Sequence, residues 1–199
     1  MAEDSYALMP MVIEETSGGY FSLSIIDQMF QRRQIQCVGE VDEKMANSLC
    51  LQLRSLAARE PGEEITIVIN SPGGSVSDGL AIIDVMHAIG CPIRTVCQGL
   101  AASMGALIFV SGTKGRRQVL PHSRVMIHDP LAQRISGNAL SVKAKSDDLM
   151  RTREISAQIL SEATGKTVEE VYAATAQDTF FEAQAAVEWG LADEVITEF

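Results

Sequence analysis

Two short stretches hold groups whose types and spacing could do chemistry. Gly99-Leu-Ala-Ala-Ser103-Met104-Gly105 presents one hydroxyl among residues of almost no bulk, and Asn70-Ser-Pro-Gly-Gly74 presents bare backbone N–H groups. Together they read as a serine nucleophile beside an oxyanion hole. A serine hydroxyl is a poor nucleophile until a base takes its proton, so the reading requires a histidine, and the chain has three: His87, His122 and His128. His128 is the best placed. In Val125-Met-Ile-His-Asp-Pro130 it ends an apolar run that reads as a short buried strand, and Pro130 turns the chain out of that strand, so the imidazole is expected at an edge facing a cleft. The base in turn needs a carboxylate to hold it in one tautomer. Asp178, in Ala176-Gln-Asp-Thr-Phe-Phe181, is expected in a loop between two helices, with aromatics beside it that could bury it. Asp129 adjoins His128 in a strand or turn, where neighbouring side chains diverge, and is the weaker candidate. Position alone does not choose between Asp178 and Asp193.

The elements that must position these residues alternate from about residue 35 onward. Asp42 can cap a helix whose apolar residues Met45, Leu49, Leu53 and Leu56 recur three or four apart, with Pro61-Gly62 ending it. Ile65-Thr-Ile-Val-Ile69 reads as a buried strand, followed by a turn at Ser71-Pro-Gly-Gly74. A second helix carries Leu80, Ile83 and Met86 along one face and stops at Gly90-Cys-Pro92, and Ile93-Arg-Thr-Val-Cys97 is the next strand. Repetition of strand, turn and helix implies an α/β fold with parallel pairing, in which ligands lie outside the carboxyl ends of the strands. Both glycine-rich stretches should therefore reach the same rim. A third helix, Met104 to Val110, begins at Ser103 and would aim unpaired N–H groups where an oxyanion forms. Gly99 to Gly105 also fits a plainer role, the close packing of helix on sheet through small residues.

From Asn138 to Ala163 the chain has neither proline nor glycine and would extend about 40 Å as a helix. Its apolar stripe is narrow, Leu149, Ile155, Ile159 and Leu160 among mixed charges. Such a helix is expected to project and to bury that stripe against another subunit. Gly165 ends it, and Thr167-Val-Glu-Glu170 is a capping box for the next helix.

Composition excludes several classes. The chain has 199 residues, 46% of them hydrophobic, enough for one domain with a real core. A net charge of -10, with Arg32-Arg33 and Lys114-Gly-Arg-Arg117 as its only basic clusters, argues against nucleic acid. The apolar stretch from Gly99 to Val110 is too short to span a bilayer, and Met1 to Tyr6 lack the basic start and apolar core of a secretory signal. A cytoplasmic protein that touches no membrane is expected. Cys37, Cys50, Cys91 and Cys97 form no C-x-x-C pair, so free, mostly buried thiols are expected and no metal site.

From about Leu8 to Ile196 the chain resembles the Clp proteolytic subunit family (ClpP), self-compartmentalised serine peptidases. Met9-Pro-Met-Val-Ile-Glu14, Ile69-Asn-Ser-Pro-Gly-Gly74, Ala101-Ala-Ser-Met-Gly105, Leu120-Pro-His-Ser-Arg-Val-Met-Ile-His128 and Glu188-Trp-Gly-Leu191 occur in the family's order and almost at its spacing. The resemblance implies a ClpP/crotonase-like spiral of strand-turn-helix units, with residues 1–6 as a propeptide and 7–199 as one peptidase domain. Within that domain 7–26 would form the axial segment and about 132–164 the projecting handle. It assigns Ser103 as nucleophile, His128 as general base and Asp178 as orienting acid, with the backbone N–H groups of Gly74 and Met104 as oxyanion hole. It also implies two stacked seven-membered rings, homomeric or mixed with a ClpP paralogue, fed by an AAA+ unfoldase of the ClpX, ClpA or ClpC type. ATP would be used by that partner, and this chain would need no cofactor.

Two other readings fit parts of the pattern. Acyl-CoA hydratases and isomerases of the crotonase type share the spiral and its paired N–H groups, but their chemistry needs no serine with a histidine partner. A catalytically dispensable ring subunit is disfavoured because all three triad residues are present. The chain departs from the family where an unfoldase would dock, with Thr66, Val68 and Ala88 at positions commonly aromatic. Gly18-Gly-Tyr-Phe21 lies where axial charges are usual, and Gln177 replaces an arginine that often precedes the triad aspartate.

Overall fold

All five residues of Ile65-Thr-Ile-Val-Ile69 are β-branched, which suits a pleated interior far better than a helix, and around this run the rest of the sheet is built. The computed structural model describes residues 10–16, 18–131 and 136–199; the expected propeptide and the first residues of the expected handle region lie outside them. An antiparallel hairpin, β1 (Met11–Thr16) and β2 (Gly19–Ser24), leads into a short helix, α1 (Ile25–Gln31). Strand and helix then alternate as β3 (Gln34–Val41), α2 (Glu43–Arg59), β4 (Ile65–Gly74), α3 (Val76–Ala88), β5 (Ile93–Ala102) and α4 (Met104–Val110). Two short strands, β6 (Arg117–Val119) and β7 (Arg124–Ile127), precede α5 (Ala139–Thr164) and α6 (Val168–Thr175), and β8 (Thr179–Glu182), α7 (Ala183–Trp189) and β9 (Glu194–Val195) close the chain.

Strands β3, β4, β5, β6 and β9 lie side by side in parallel, β7 also pairs parallel to β5, and β8 returns antiparallel on β7. This is a mixed α/β architecture with a mainly parallel sheet. Its inner face, carrying Ile35, Ile67, Ile69 and Cys97, packs against Leu49, Leu53 and Leu56 of α2 and Ile82 and Met86 of α3. Every residue of α4 is buried, as expected of a helix apolar all round.

The expected turn at Ser71-Pro-Gly-Gly74 is instead the end of β4, which continues past a register shift after Ile69. Pro72 is tolerated because an irregular ladder does not call on its missing N–H. In the same way β5 runs on to Ala102, so both glycine-rich stretches are strand ends that reach the rim. Asp178 lies between α6 and β8, not between two helices.

Asn138 caps α5 by accepting from the Ser141 N–H at 2.9 Å, a cap that sequence reasoning passes over, and Gly165, at φ +75°, ends the helix as expected. Of the expected intersubunit stripe, however, Leu160 is buried in the subunit's own core and Ile159 packs against it, while Leu149 and Ile155 are half-buried; Leu140 and Met150, outside that stripe, stay exposed in the first half of α5.

Two arginines tie the periphery to the sheet. Arg33, in left-handed conformation at φ +59°, donates from Nε to the Glu64 carbonyl at 3.0 Å, from Nη1 to that of Leu56 at 2.9 Å and from Nη2 to that of Glu63 at 2.9 Å. It ties the Leu56 carbonyl, near the end of α2, to two carbonyls of the loop that leads into β4. Arg117, 3% exposed, grips Asp193 through Nε at 2.9 Å and Nη2 at 2.5 Å, and its Nη1 donates to the carbonyls of Ala163 and Gly190 at 3.0 Å each. Burial by itself would raise the Asp193 carboxyl, but hydrogen bonds from Arg117 and the Gly115 N–H outweigh it and hold it below the usual carboxylate range.

Arg33→Ala should lower stability by about 2 kcal/mol, because three carbonyls lose a charged donor; Arg33→Gly should lose less, since glycine relieves the positive φ. Thermal unfolding of the two variants checks the order. Asp193→Asn should destabilise the protein by about 3 kcal/mol at neutral pH, leaving Arg117 buried with only a neutral partner. A depressed carboxyl contributes stability above its unfolded pKa of about 4 and loses it as pH falls through the lower folded value. The gap between wild type and variant should therefore close in melts taken below about pH 4.

Candidate active site

Ser103 sits where β5 turns sharply into α4, with φ +54° and ψ −122°. Among the described residues only Arg33 shares positive φ without being glycine. A serine so held projects its hydroxyl from a tight strand-to-helix turn. Its own N–H donates to the Met126 carbonyl at 2.9 Å, and its carbonyl accepts from the N–H groups of Ala106 and Leu107. The surroundings must be small. A Cβ on Gly73 would lie 2.7 Å from the Ser103 Cβ and 3.0 Å from the Met104 nitrogen, and one on Gly105 would press on Ser71 at 3.1 Å. Sequence reasoning singles out Gly74 and passes over Gly73, although the doubled glycine is an available signal.

His128 follows directly on β7, which the ladder holds beside β5 with Met126 opposite Ala102. Its Nε2 lies 2.8 Å from the Ser103 Oγ and its Nδ1 3.1 Å from the Asp178 Oδ1. A carboxylate only accepts, so Nδ1 carries the proton and Nε2 is left to accept from the serine hydroxyl. His87 and His122 are exposed elsewhere on the surface.

The expected aromatic cover over Asp178 is absent, and its side chain is 63% exposed. Alternation along β8 sends Phe181 inward onto Trp189, with ring centroids 5.2 Å apart, while Phe180 faces outward beside the Arg124 guanidinium. The rival aspartates are engaged elsewhere. Asp193 belongs to Arg117, and Asp129 accepts from Arg153 Nε and from the Thr175 hydroxyl, each at 2.7 Å. Arg153 and Thr175 carry no signal in the sequence, being 24 and 46 residues from Asp129.

Ser103 and His128 open on a cavity of about 230 Å³. Gly74 and Met104 line its near side, Val76, Leu107 and Ile127 give it an apolar wall, and Arg153 adds a cation. The Met104 N–H belongs to the first turn of α4 and so has no partner within the helix. The Met104 side chain is packed where Gly79 leaves room, since a Cβ there would lie 2.2 Å from its Cγ.

Thr66 and Val68, expected near a docking site, are nearly covered on the sheet face opposite the core cluster, at 7% and 3% exposure. Ala88 is exposed at the end of α3. The four cysteines are free, and burial pushes the thiols of Cys37 and Cys97 up to about 12, leaving them protonated. Among the described residues no cluster of His, Cys, Asp or Glu has the makings of a metal site, and no helix is long and apolar enough to cross a membrane.

Residues 17–199 match the Clp protease family. The chain is also 40% identical over 190 residues to the ATP-dependent Clp protease proteolytic subunit 2 of Chlamydia pneumoniae, an alignment covering 96% of this chain and 93% of that protein. With nearly its whole length accounted for by the match, the chain belongs to the Clp protease family.

Proposed function

We propose that this protein is the proteolytic subunit of an ATP-dependent Clp protease, a serine endopeptidase in which Ser103 is the nucleophile, His128 the general base and Asp178 the orienting acid. The observation that carries the reading is the continuous hydrogen-bonded chain from the Ser103 Oγ through the imidazole to Asp178 at the mouth of a cavity. Ser103 attacks a peptide carbonyl as His128 Nε2 takes its proton, and Asp178 stabilises the imidazolium that forms. The backbone N–H groups of Gly74 and Met104 receive the oxyanion, each contributing about 3 kcal/mol to the transition state. His128 then protonates the leaving amine, and water releases the acyl group by the same route.

Substrates are unfolded polypeptides, fed by an AAA+ unfoldase that uses the ATP, so the chain itself needs no cofactor. The particle is cytoplasmic and consists of two stacked seven-membered rings, with α5 as the handle between them and the strand-turn-helix units wound as a spiral. The exposed first half of α5, with Leu140 and Met150 open to solvent, supports that assignment. Thr66 and Val68 offer a docking unfoldase no aromatic anchor and little accessible surface, which favours mixed rings with a paralogue that docks it. Residues 1–6 are removed as a propeptide.

Ser103→Ala should reduce hydrolysis of a short fluorogenic peptide by about 10⁴-fold or more while leaving assembly intact. A fluorophosphonate probe should label the native chain at Ser103, and His128→Ala and Asp178→Asn should both slow that labelling. Substantial turnover by Ser103→Ala would reject the assignment.

A further inference from the structure

His128 and Asp178 meet through a single hydrogen bond of 3.1 Å to a carboxylate whose side chain is 63% exposed. Water competes for so open an acceptor, so the bond by itself does not hold the carboxylate in place against the imidazole. The alignment must come from the backbone on either side. On one side the β7–β8 ladder pairs Ile127 with Thr179. On the other, the Asp129 N–H donates to the Thr175 carbonyl at 2.8 Å, while Asp129 Oδ1 accepts from the Thr175 hydroxyl at 2.7 Å. Ile127 and Asp129 are the two chain neighbours of His128; Thr179 and Thr175 bracket the short connection that carries Asp178. The bond between imidazole and carboxylate therefore closes inside a frame fastened at both ends.

The second end is the sheltered one. Thr175 is 4% exposed. The remaining Asp129 oxygen, Oδ2, accepts from Arg153 Nε at 2.7 Å, and the Arg153 guanidinium lies 3.7 Å from the centroid of the Tyr172 ring on α6. Asp129 is thus joined to α6 directly through Thr175 and again through the guanidinium stacked on Tyr172. Remove its carboxylate and the loop of Asp178 keeps the β8 end, the Asp129 N–H bond to the Thr175 carbonyl and the bond from the Thr179 hydroxyl to the Ala174 carbonyl at 2.7 Å, but loses both side-chain ties from Asp129 to α6.

Resting on the peptidase reading above, we propose that Asp129 is a positioning residue for the reaction: by holding Thr175 it sets the place of Asp178 against His128, and it acts on the chemistry through Asp178. A side chain that merely supports the fold would have the same effect whether or not Asp178 is functional. One that acts through Asp178 loses its effect when Asp178 is disabled.

The test is the second-order rate of fluorophosphonate labelling at Ser103, with native mass spectrometry of each assembly. Asp129→Ala and Thr175→Val should each slow labelling by about tenfold or more, as expected for losing a hydrogen bond to a charged group, with the assembly unchanged. Thr175→Ser, which keeps the hydroxyl, should recover most of the rate lost in Thr175→Val. In an Asp178→Asn background the same two changes should slow labelling by less than about twofold. Equal losses in both backgrounds, or an undiminished rate in Asp129→Ala, would overturn the proposal while leaving the peptidase reading in place. Absence of any labelling of the native chain would overturn both. Should Asp129→Ala not fold, Thr175→Val, nearly isosteric at a buried position, decides between the same two outcomes.

Discussion

A serine held at φ +54° has little steric freedom, and a non-glycine residue in that region costs about 1–3 kcal/mol unless its surroundings over-determine it. Here they do. The strand before Ser103 lies between β4 and β7, the helix after it is buried at every residue, and its own N–H is tied to Met126 on the neighbouring strand. The same constraint dictates the glycines around it. Parallel pairing brings the ends of β4 and β5 together, so Gly73 meets the Ser103 Cβ at a distance no side chain would survive. Met104 is drawn into the core beside Gly79, which fixes the amide that follows the proposed nucleophile. One backbone conformation thus accounts for the small residues on three elements.

Three aspartates near this frame have the same chemistry and different lives, and the difference is one of neighbours. Asp193 is half of a sheltered bidentate pair and is committed to Arg117. Asp129 is shared between a hydroxyl and a guanidinium, so both of its oxygens are taken. Asp178 is exposed, and among the described residues its one side-chain partner is His128. A carboxylate that must answer changes of charge on an imidazole cannot already be neutralised by an arginine, and only Asp178 meets that condition.

Ser103 and His128 are legible in the sequence because their surroundings are local: small residues around one, an apolar run closed by proline after the other. Strand interiors and the caps at Asp42 and Thr167 are legible for the same reason, since the cap bonds reach three residues at most. What depends on distant partners is not. Proline and two glycines in succession ordinarily break a strand, yet Ser71 to Gly74 stay in the sheet, with Gly73 at φ +97°, because β3 pairs with Gly73 and Gly74 and β5 with Ser71. The choice between Asp178 and Asp193 needs the position of Arg117, which lies 76 residues from Asp193. Phe180 and Phe181 read as a cover for Asp178 in sequence, but a strand period of two points them to opposite faces.

The division of α5 follows from the same dependence. Leu160 is gathered into the core where α5 packs against the subunit, while Leu140 and Met150 on the same helix are left in water. Ile13, Tyr20 and Phe21 of the first hairpin are left exposed as well. A chain that gathers a tightly packed interior elsewhere does not scatter apolar side chains on two extensions without a surface to meet them. The rings proposed here supply that surface, for α5 from the facing ring and for the hairpin along the axial opening. The subunit's core fixes Ser103 and His128, and the parts of the chain that this core cannot bury are the surfaces that the proposed rings would cover.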